Sequence, residues 1–187
     1  NERIRVNGVP ISDGDIIRFV KRHRDSFDDI PVTFFEATTA LAFWYFKKSS
    51  VDIAVIETGL GGRLDSTNVL SSNLAVITPI SLDHQHLLGR DLRKIASEKG
   101  GIIKYKIPVV IAPQDQKAAH VLQGIASQNK SICCFVKSPT ILKTDWGKME
   151  TRFRLNNITY TIPFLGSHQA VNAATAIQSV STYDSMI

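Results

Sequence analysis

Apolar and polar positions along this chain first recur at helical spacing and then fall into short apolar runs separated by helical stretches. Asn7-Gly8 is a turn signal, and Pro10-Ile11-Ser12-Asp13 offers a cap for an amphipathic helix over residues 15–27. Residues 35–48 are almost unbroken apolar, with alanines, aromatics and Trp44, which predicts a second helix, after the Thr33 region, packed into the core. Its aromatics read as core and not as a cofactor box.

Strands are then expected at residues 51–56, 74–78, 108–112 and 131–136, with helices at 92–103 and 115–128 between them. Strands separated by helical crossovers imply a mostly parallel, doubly wound α/β sheet flanked by helices. Residues 149–163 break that theme, because runs at 151–155 and 158–162 flank Asn156-Asn157, a pair that tolerates the positive φ of a tight turn. A small antiparallel β-hairpin is expected there, followed by an Ala-rich helix over 170–180 with Ser167 as its cap. The expectation is a single domain over residues 1–187, with no internal repeat.

A chain of 187 residues with 43% hydrophobic and 21% charged content has the composition of a globular core and not of a disordered or fibrous segment. Its formal net charge of +5 suits an anionic substrate but equally describes many ordinary proteins. Cys133 and Cys134, adjacent in an apolar run, suggest neither a disulfide framework nor a spaced metal site; the expectation is buried thiols in a reducing cytosol. No apolar run approaches the roughly 20 residues needed to cross a bilayer and no basic-then-apolar leader opens the chain, so the reading is a cytoplasmic protein without a membrane partner. Basic residues are dispersed without interleaved aromatics or zinc spacing, which disfavours a nucleic-acid module.

The densest candidate chemistry follows the apolar run at 51–56: Glu57-Thr58-Gly59-Leu60-Gly61-Gly62-Arg63-Leu64-Asp65-Ser66-Thr67-Asn68. Ligands of open α/β sheets bind outside the carboxyl ends of the strands. Gly59, Gly61 and Gly62 let backbone approach a phosphate, and Glu57 could reach a magnesium ion holding that phosphate; a tight turn with an exposed acid explains the same residues equally well. His84, in Leu82-Asp83-His84 after the next strand, could ligate a metal or touch phosphate, with His86 leaving the choice of histidine open. Lys99 sits in a mostly apolar helical setting, where an ammonium is costly unless paired or modified, and a surface salt bridge to Glu98 or Asp91 is the plain alternative.

Together with Glu98-Lys99-Gly100-Gly101-Ile102-Ile103-Lys104, Leu88-Gly89, the opening Asn-Glu-Arg-Ile-Arg-Val-Asn-Gly, Phe34-Phe35-Glu36-Ala37-Thr38-Thr39 and Gly166-Ser167-His168-Gln169 with Asn172-Ala173-Ala174, these segments resemble the folylpolyglutamate synthase/dihydrofolate synthase family of the Mur ligases. The likeness runs in order over nearly the whole chain. It implies a P-loop NTPase-like central ATPase domain, with Glu57 coordinating magnesium and the ATP phosphates, His84 at a second metal site, Lys99 carbamylated and Asn172 contacting adenine. It implies ATP and Mg2+ as cofactors and a monomeric enzyme forming an amide between L-glutamate and dihydropteroate or a folate through an acyl phosphate. Arg3 and Arg5 become secondary anion-facing candidates and Arg63 and Asp65 loop-shaping ones, whereas Glu36 is explained by helix capping.

A Gly-x-x-Gly-Lys-Ser phosphate loop does not occur in these residues, and Gly100 stands where the family more often has alanine. The expectation is therefore an incomplete central domain, its phosphate loop, a Ser-Pro-His segment before Asn1 and a C-terminal domain lying elsewhere, and inactive alone. Two alternatives remain open: a cell-wall type Mur ligase, and a non-catalytic nucleotide-binding domain.

Overall fold

The structure, a computed structural model, describes residues 2–81 and 91–186. The chain forms two compact units: one from the chain up to Leu60 with Asp65–Val69, the other from Gly61–Leu64 with the chain from Leu70 onward. No helix among the described residues is long and apolar enough to cross a membrane.

In the first unit, β1 (Arg5–Val6) and β2 (Val9–Pro10) pair antiparallel. Asn7 and Gly8 both take positive φ, 51° and 81°, as a two-residue hairpin turn demands. Helix α1 (Asp13–Asp29) begins where the Ser12 side chain accepts the Asp15 N–H, so it starts earlier and runs slightly longer than the pattern predicts. Helix α2 (Phe34–Lys48) faces it through Phe19 and Trp44, whose ring centroids lie 5.6 Å apart. A 3-10 turn at Ser66–Val69 completes the unit.

The start of α2 carries a reciprocal cap. Thr33 Oγ1 accepts the Glu36 N–H at 3.2 Å, and Glu36 Oε2 accepts the Thr33 N–H at 2.7 Å. Hydrogen bonds from the Thr33 backbone, then from its hydroxyl, hold the Glu36 carboxyl below the usual glutamate range. A lowered pKa means a contribution present above the ordinary glutamate range and lost as pH falls through the depressed value. Thr33→Ala is expected to cost about 1 kcal/mol, and Glu36→Gln to flatten the acid limb of thermal unfolding measured against pH.

Residues 51–56 do not form the expected strand. They make no ladder among the described residues, and Ile53 and Val55 are 65% and 92% exposed. An apolar β-branched run becomes a strand only when a neighbouring strand takes up its N–H and C=O groups, and among the described residues the Val51 N–H bonds Phe46 O at the end of α2 while no strand pairs with the run.

The second unit is built on a parallel sheet in the order β3-β4-β5: β3 (Ala75–Ile77), β4 (Val109–Ile111) and β5 (Cys133–Phe135). Helix α3 (Leu92–Gly100) connects β3 to β4 and α4 (Gln116–Gln128) connects β4 to β5. Val109 and Ile111 point into a core with Ile95 and Ala96 of α3 and Ala118 and Leu122 of α4, while Val110 points the other way. A central strand buried on both faces reads as an unbroken Val-Val-Ile run, the mark of a parallel sheet covered on two sides. This confirms the α/β expectation. Cys133 and Cys134 are free and half-buried, not fully buried, and burial pushes the Cys133 thiol up.

The second face is covered by α5 (Ser167–Asp184) and a separate antiparallel sheet, β6 (Thr140–Asp145), β7 (Glu150–Leu155) and β8 (Ile158–Ile162). Phe153 of β7, fully buried, meets Val110, Ala170 and Ala174 in one core. The hairpin turn holds as expected, with Asn156 and Asn157 at φ 47° and 67°, but the hairpin is part of a three-stranded sheet in which β6 adds to the other edge of β7. Ser167 is not the cap of α5; Gly166, at φ 101°, occupies that position without a side-chain hydrogen bond. A φ of 101° is a backbone conformation that glycine reaches without strain and residues with a capping side chain rarely adopt.

Candidate functional site

In the first unit the chain after residues 51–56 carries Glu57, Thr58 and Gly59. The Glu57 side chain is exposed and makes no hydrogen bond or ion pair among the described residues. The Phe35 ring of α2 lies over Gly59, where a Cβ would come within 2.4 Å of Phe35 Cζ. Asp65 organises the return of the loop: its Oδ2 accepts the Leu60 N–H at 2.9 Å and its Oδ1 accepts from the Thr67 N–H and hydroxyl at 2.9 and 2.6 Å. Thr39 of α2 and Ser66 share a hydroxyl hydrogen bond of 2.9 Å.

Between those two anchor points, Gly61–Leu64 belongs to the second unit. Gly61 is buried at φ 68°, a left-handed conformation that glycine adopts without strain. Gly62, also buried, crosses the end of α3 so closely that a Cβ would lie 2.8 Å from the Glu98 carbonyl oxygen and 2.9 Å from that of Lys99. The Arg63 N–H donates to the Glu98 carbonyl at 2.9 Å, and its guanidinium Nε and Nη2 both lie 3.1 Å from Glu98 Oε1. Two of the segments singled out in the sequence, the glycine loop and the lysine-bearing helix end, are therefore in direct backbone contact.

Helix α3 is opened by Asp91, whose side chain accepts the Arg93 N–H at 2.9 Å. It ends at Gly100, earlier than the apolar pattern predicts, through tight turns in which Gly101 N–H bonds Glu98 O and Ile103 N–H bonds Gly100 O. Lys99 lies in its last turn, half-buried, and the plain alternative of an ion pair to Glu98 or Asp91 does not hold, because those carboxylates serve Arg63 and the helix cap. Lys99 makes no ion pair among the described residues.

Asn172 is exposed on α5, and its side chain makes no hydrogen bond among the described residues. Arg5 is braced locally, its Nε donating to Glu2 O and its Nη1 to Gly8 O, both at 2.9 Å; Arg3 makes a loose ion pair with Glu2 at 3.9 Å. His84 and His86 lie outside the described residues. Among the described residues no cluster of three metal-ligating side chains exists. Glu57 nevertheless supplies a free carboxylate of the kind magnesium takes alongside phosphate and water, and Lys99 would supply oxygen donors only as a carbamate.

Gln114 holds the end of β3 by a side chain that carries no sequence signal. Its Nε2 donates to Thr78 O at 2.8 Å and its Oε1 accepts the Ile80 N–H at 2.9 Å, extending the β3–β4 ladder by a side chain and fixing the chain beyond β3. A single glutamine after a strand carries no pattern that would have revealed it.

Residues 26–180 match the Mur ligase middle domain. The chain is 37% identical to the folylpolyglutamate synthase of Lacticaseibacillus casei over 98% of its own length and 46% of that protein. It is 37% identical to the dihydrofolate synthase/folylpolyglutamate synthase of Bacillus subtilis over 95% of its length and 44% of that protein. Its fold superposes on crystal structures of the Mycobacterium tuberculosis folylpolyglutamate synthase complexed with ADP and AMPPCP with a TM-score of 0.84, at 33% identity, covering 98% of this chain and 46% of that one. The chain thus spans less than half the length of these relatives.

Proposed function

The chain belongs to the Mur ligase family, as a middle domain, and from that premise we propose that the protein containing it is an ATP-dependent ligase adding L-glutamate to dihydropteroate, to a folate, or to both. The observation that supports this reading most is the backbone contact of Gly62 with the carbonyls of Glu98 and Lys99. It brings the loop that follows Glu57 onto the turn that carries Lys99, and a phosphoryl-transfer site needs anionic and backbone donors held together in fixed geometry.

In the proposed reaction the acceptor's carboxylate oxygen attacks the γ-phosphorus of ATP, the bond to ADP breaks, and an acyl phosphate forms. The glutamate amine then attacks the acyl carbon, phosphate leaves and the amine loses its proton. Phosphorylation is needed because oxide is too poor a leaving group for direct attack. Magnesium, when bound, would neutralise charge on the transferring phosphoryl group. Glu57 would hold it by a carboxylate oxygen. Lys99 would join it after its neutral amine adds carbon dioxide and releases a proton, which turns a cation into an anion. Amides of the Gly61-Gly62 loop would face phosphate, His84 a second metal, and the exposed amide of Asn172 the adenine.

The test is a mass-spectrometric ligation assay on the full-length gene product with magnesium-ATP, glutamate and one of dihydropteroate, tetrahydrofolate or a muramyl-peptide precursor. A product heavier by one glutamyl residue from a pteroate or folate acceptor is the expected result. Ligation confined to the muramyl acceptor would move the protein to cell-wall chemistry, and no ligation with any acceptor would overturn the reading.

A further inference from the structure

We infer that Arg63 and Glu98 are a positioning pair for the reaction, holding the Gly61-Gly62 loop and the Lys99 turn in one fixed arrangement; the inference rests on the ligase reading above. The two segments approach backbone to backbone from both directions. A Cβ on Gly62 would strike the carbonyls of Glu98 and Lys99, and a Cβ on Gly101 would lie 2.5 Å from Arg63 Cα and 2.9 Å from its nitrogen. Across this seam Arg63 engages Glu98 through its main-chain N–H and two guanidinium nitrogens. The neck of the loop is closed separately, by Asp65 Oδ2 on the Leu60 N–H.

The exposure of the pair separates positioning from stability. The side chains of Arg63 and Glu98 are 56% and 31% exposed, and an ion pair so wet adds little to folding free energy. What it fixes is the direction of the loop amides relative to the carbonyl of Lys99 and the turn bearing its side chain. Rates of in-line phosphoryl transfer respond to displacements far smaller than those that unfold a domain.

The experiment is steady-state ligation and thermal unfolding of the full-length gene product with Arg63→Ala, Glu98→Gln, the double variant and Arg63→Lys. Both single variants are expected to lower kcat by about 10- to 100-fold, with KM for glutamate and the unfolding midpoint near wild type. The double variant should be no slower than the worse single one, since the two act as a unit, and Arg63→Lys should recover part of the rate. Wild-type kcat in either single variant, losses that multiply in the double, or losses that follow the unfolding midpoint would overturn the inference. A fully active Lys99→Ala control would instead defeat the ligase-site reading. Amide exchange at residues 61–64 and 99–102 would then decide whether the pair holds the seam, since unchanged exchange in Arg63→Ala would show that it does not.

Discussion

Lys99→Ala and Glu57→Gln in the full-length protein are each expected to lower the ligation rate by at least about 100-fold, the scale on which a ligand or charge-stabilising group is lost from a phosphoryl-transfer site. Folding should be almost untouched. Glu57 is exposed and bonds no other described residue, and Lys99 takes part in no ion pair among them, so neither substitution strands a buried partner. Glutamine keeps the size of Glu57 and removes only its charge, which isolates the electrostatic requirement. For Lys99 the chemistry adds a second handle: stripping carbon dioxide and bicarbonate from the assay should slow the wild type, their return should restore it, and Lys99→Ala should respond to neither. Steady-state kinetics with parallel thermal unfolding check both substitutions. A Lys99→Ala enzyme at wild-type rate would remove the lysine from the site.

The parts of this molecule that were legible in its sequence are those whose cause is local. Asn7-Gly8 and Asn156-Asn157 adopt positive φ because those side chains tolerate it, and Val109-Val110-Ile111 is unbroken because both faces of its sheet are covered. Partnerships set by tertiary approach were not legible. The sequence offers Glu98 or Asp91 as an ion-pair partner for Lys99, yet consecutive residues on a helix point about 100° apart, and the Glu98 carboxylate turns instead to Arg63, 35 positions away. Residues 51–56 carry strand propensity but have no pairing partner among the described residues, and propensity alone does not make a ladder. Strand β6 has no clear sequence signature, because the register shift between Ile141 and Lys143 breaks period-two alternation. At residue 166 a backbone φ of 101° selects glycine for the cap, where serine at 167 carries the usual signal.

The neighbouring glycines at the end of α3 should respond oppositely to the same added methyl group. At Gly100 a Cβ meets the Cδ1 of Ile125 at 2.5 Å, the free end of a side chain able to turn aside, with Leu122 Cδ2 at an easier 3.3 Å. Alanine is worth up to about 1 kcal/mol over glycine inside a helix, so Gly100→Ala should be neutral or stabilising by that much. Gly101 has φ −62° and ψ −10°, which alanine adopts freely, so its backbone poses no objection. The obstacle is Arg63, whose Cα and nitrogen would stand 2.5 and 2.9 Å from the new Cβ, and main-chain atoms tied to the Glu98 carbonyl have no rotamer to yield. Gly101→Ala is therefore expected to cost about 2 to 3 kcal/mol, the upper range of overpacking, and to pry the glycine loop from the Lys99 turn. Denaturant unfolding of the two single variants measures the contrast directly. If the Gly101 variant proved as stable as the Gly100 one, the seam would be loose enough to open by about 0.9 Å without cost, as moving Arg63 Cα from 2.5 Å to ordinary contact at about 3.4 Å would require. In that event the rate loss expected of Arg63→Ala would have no structural basis.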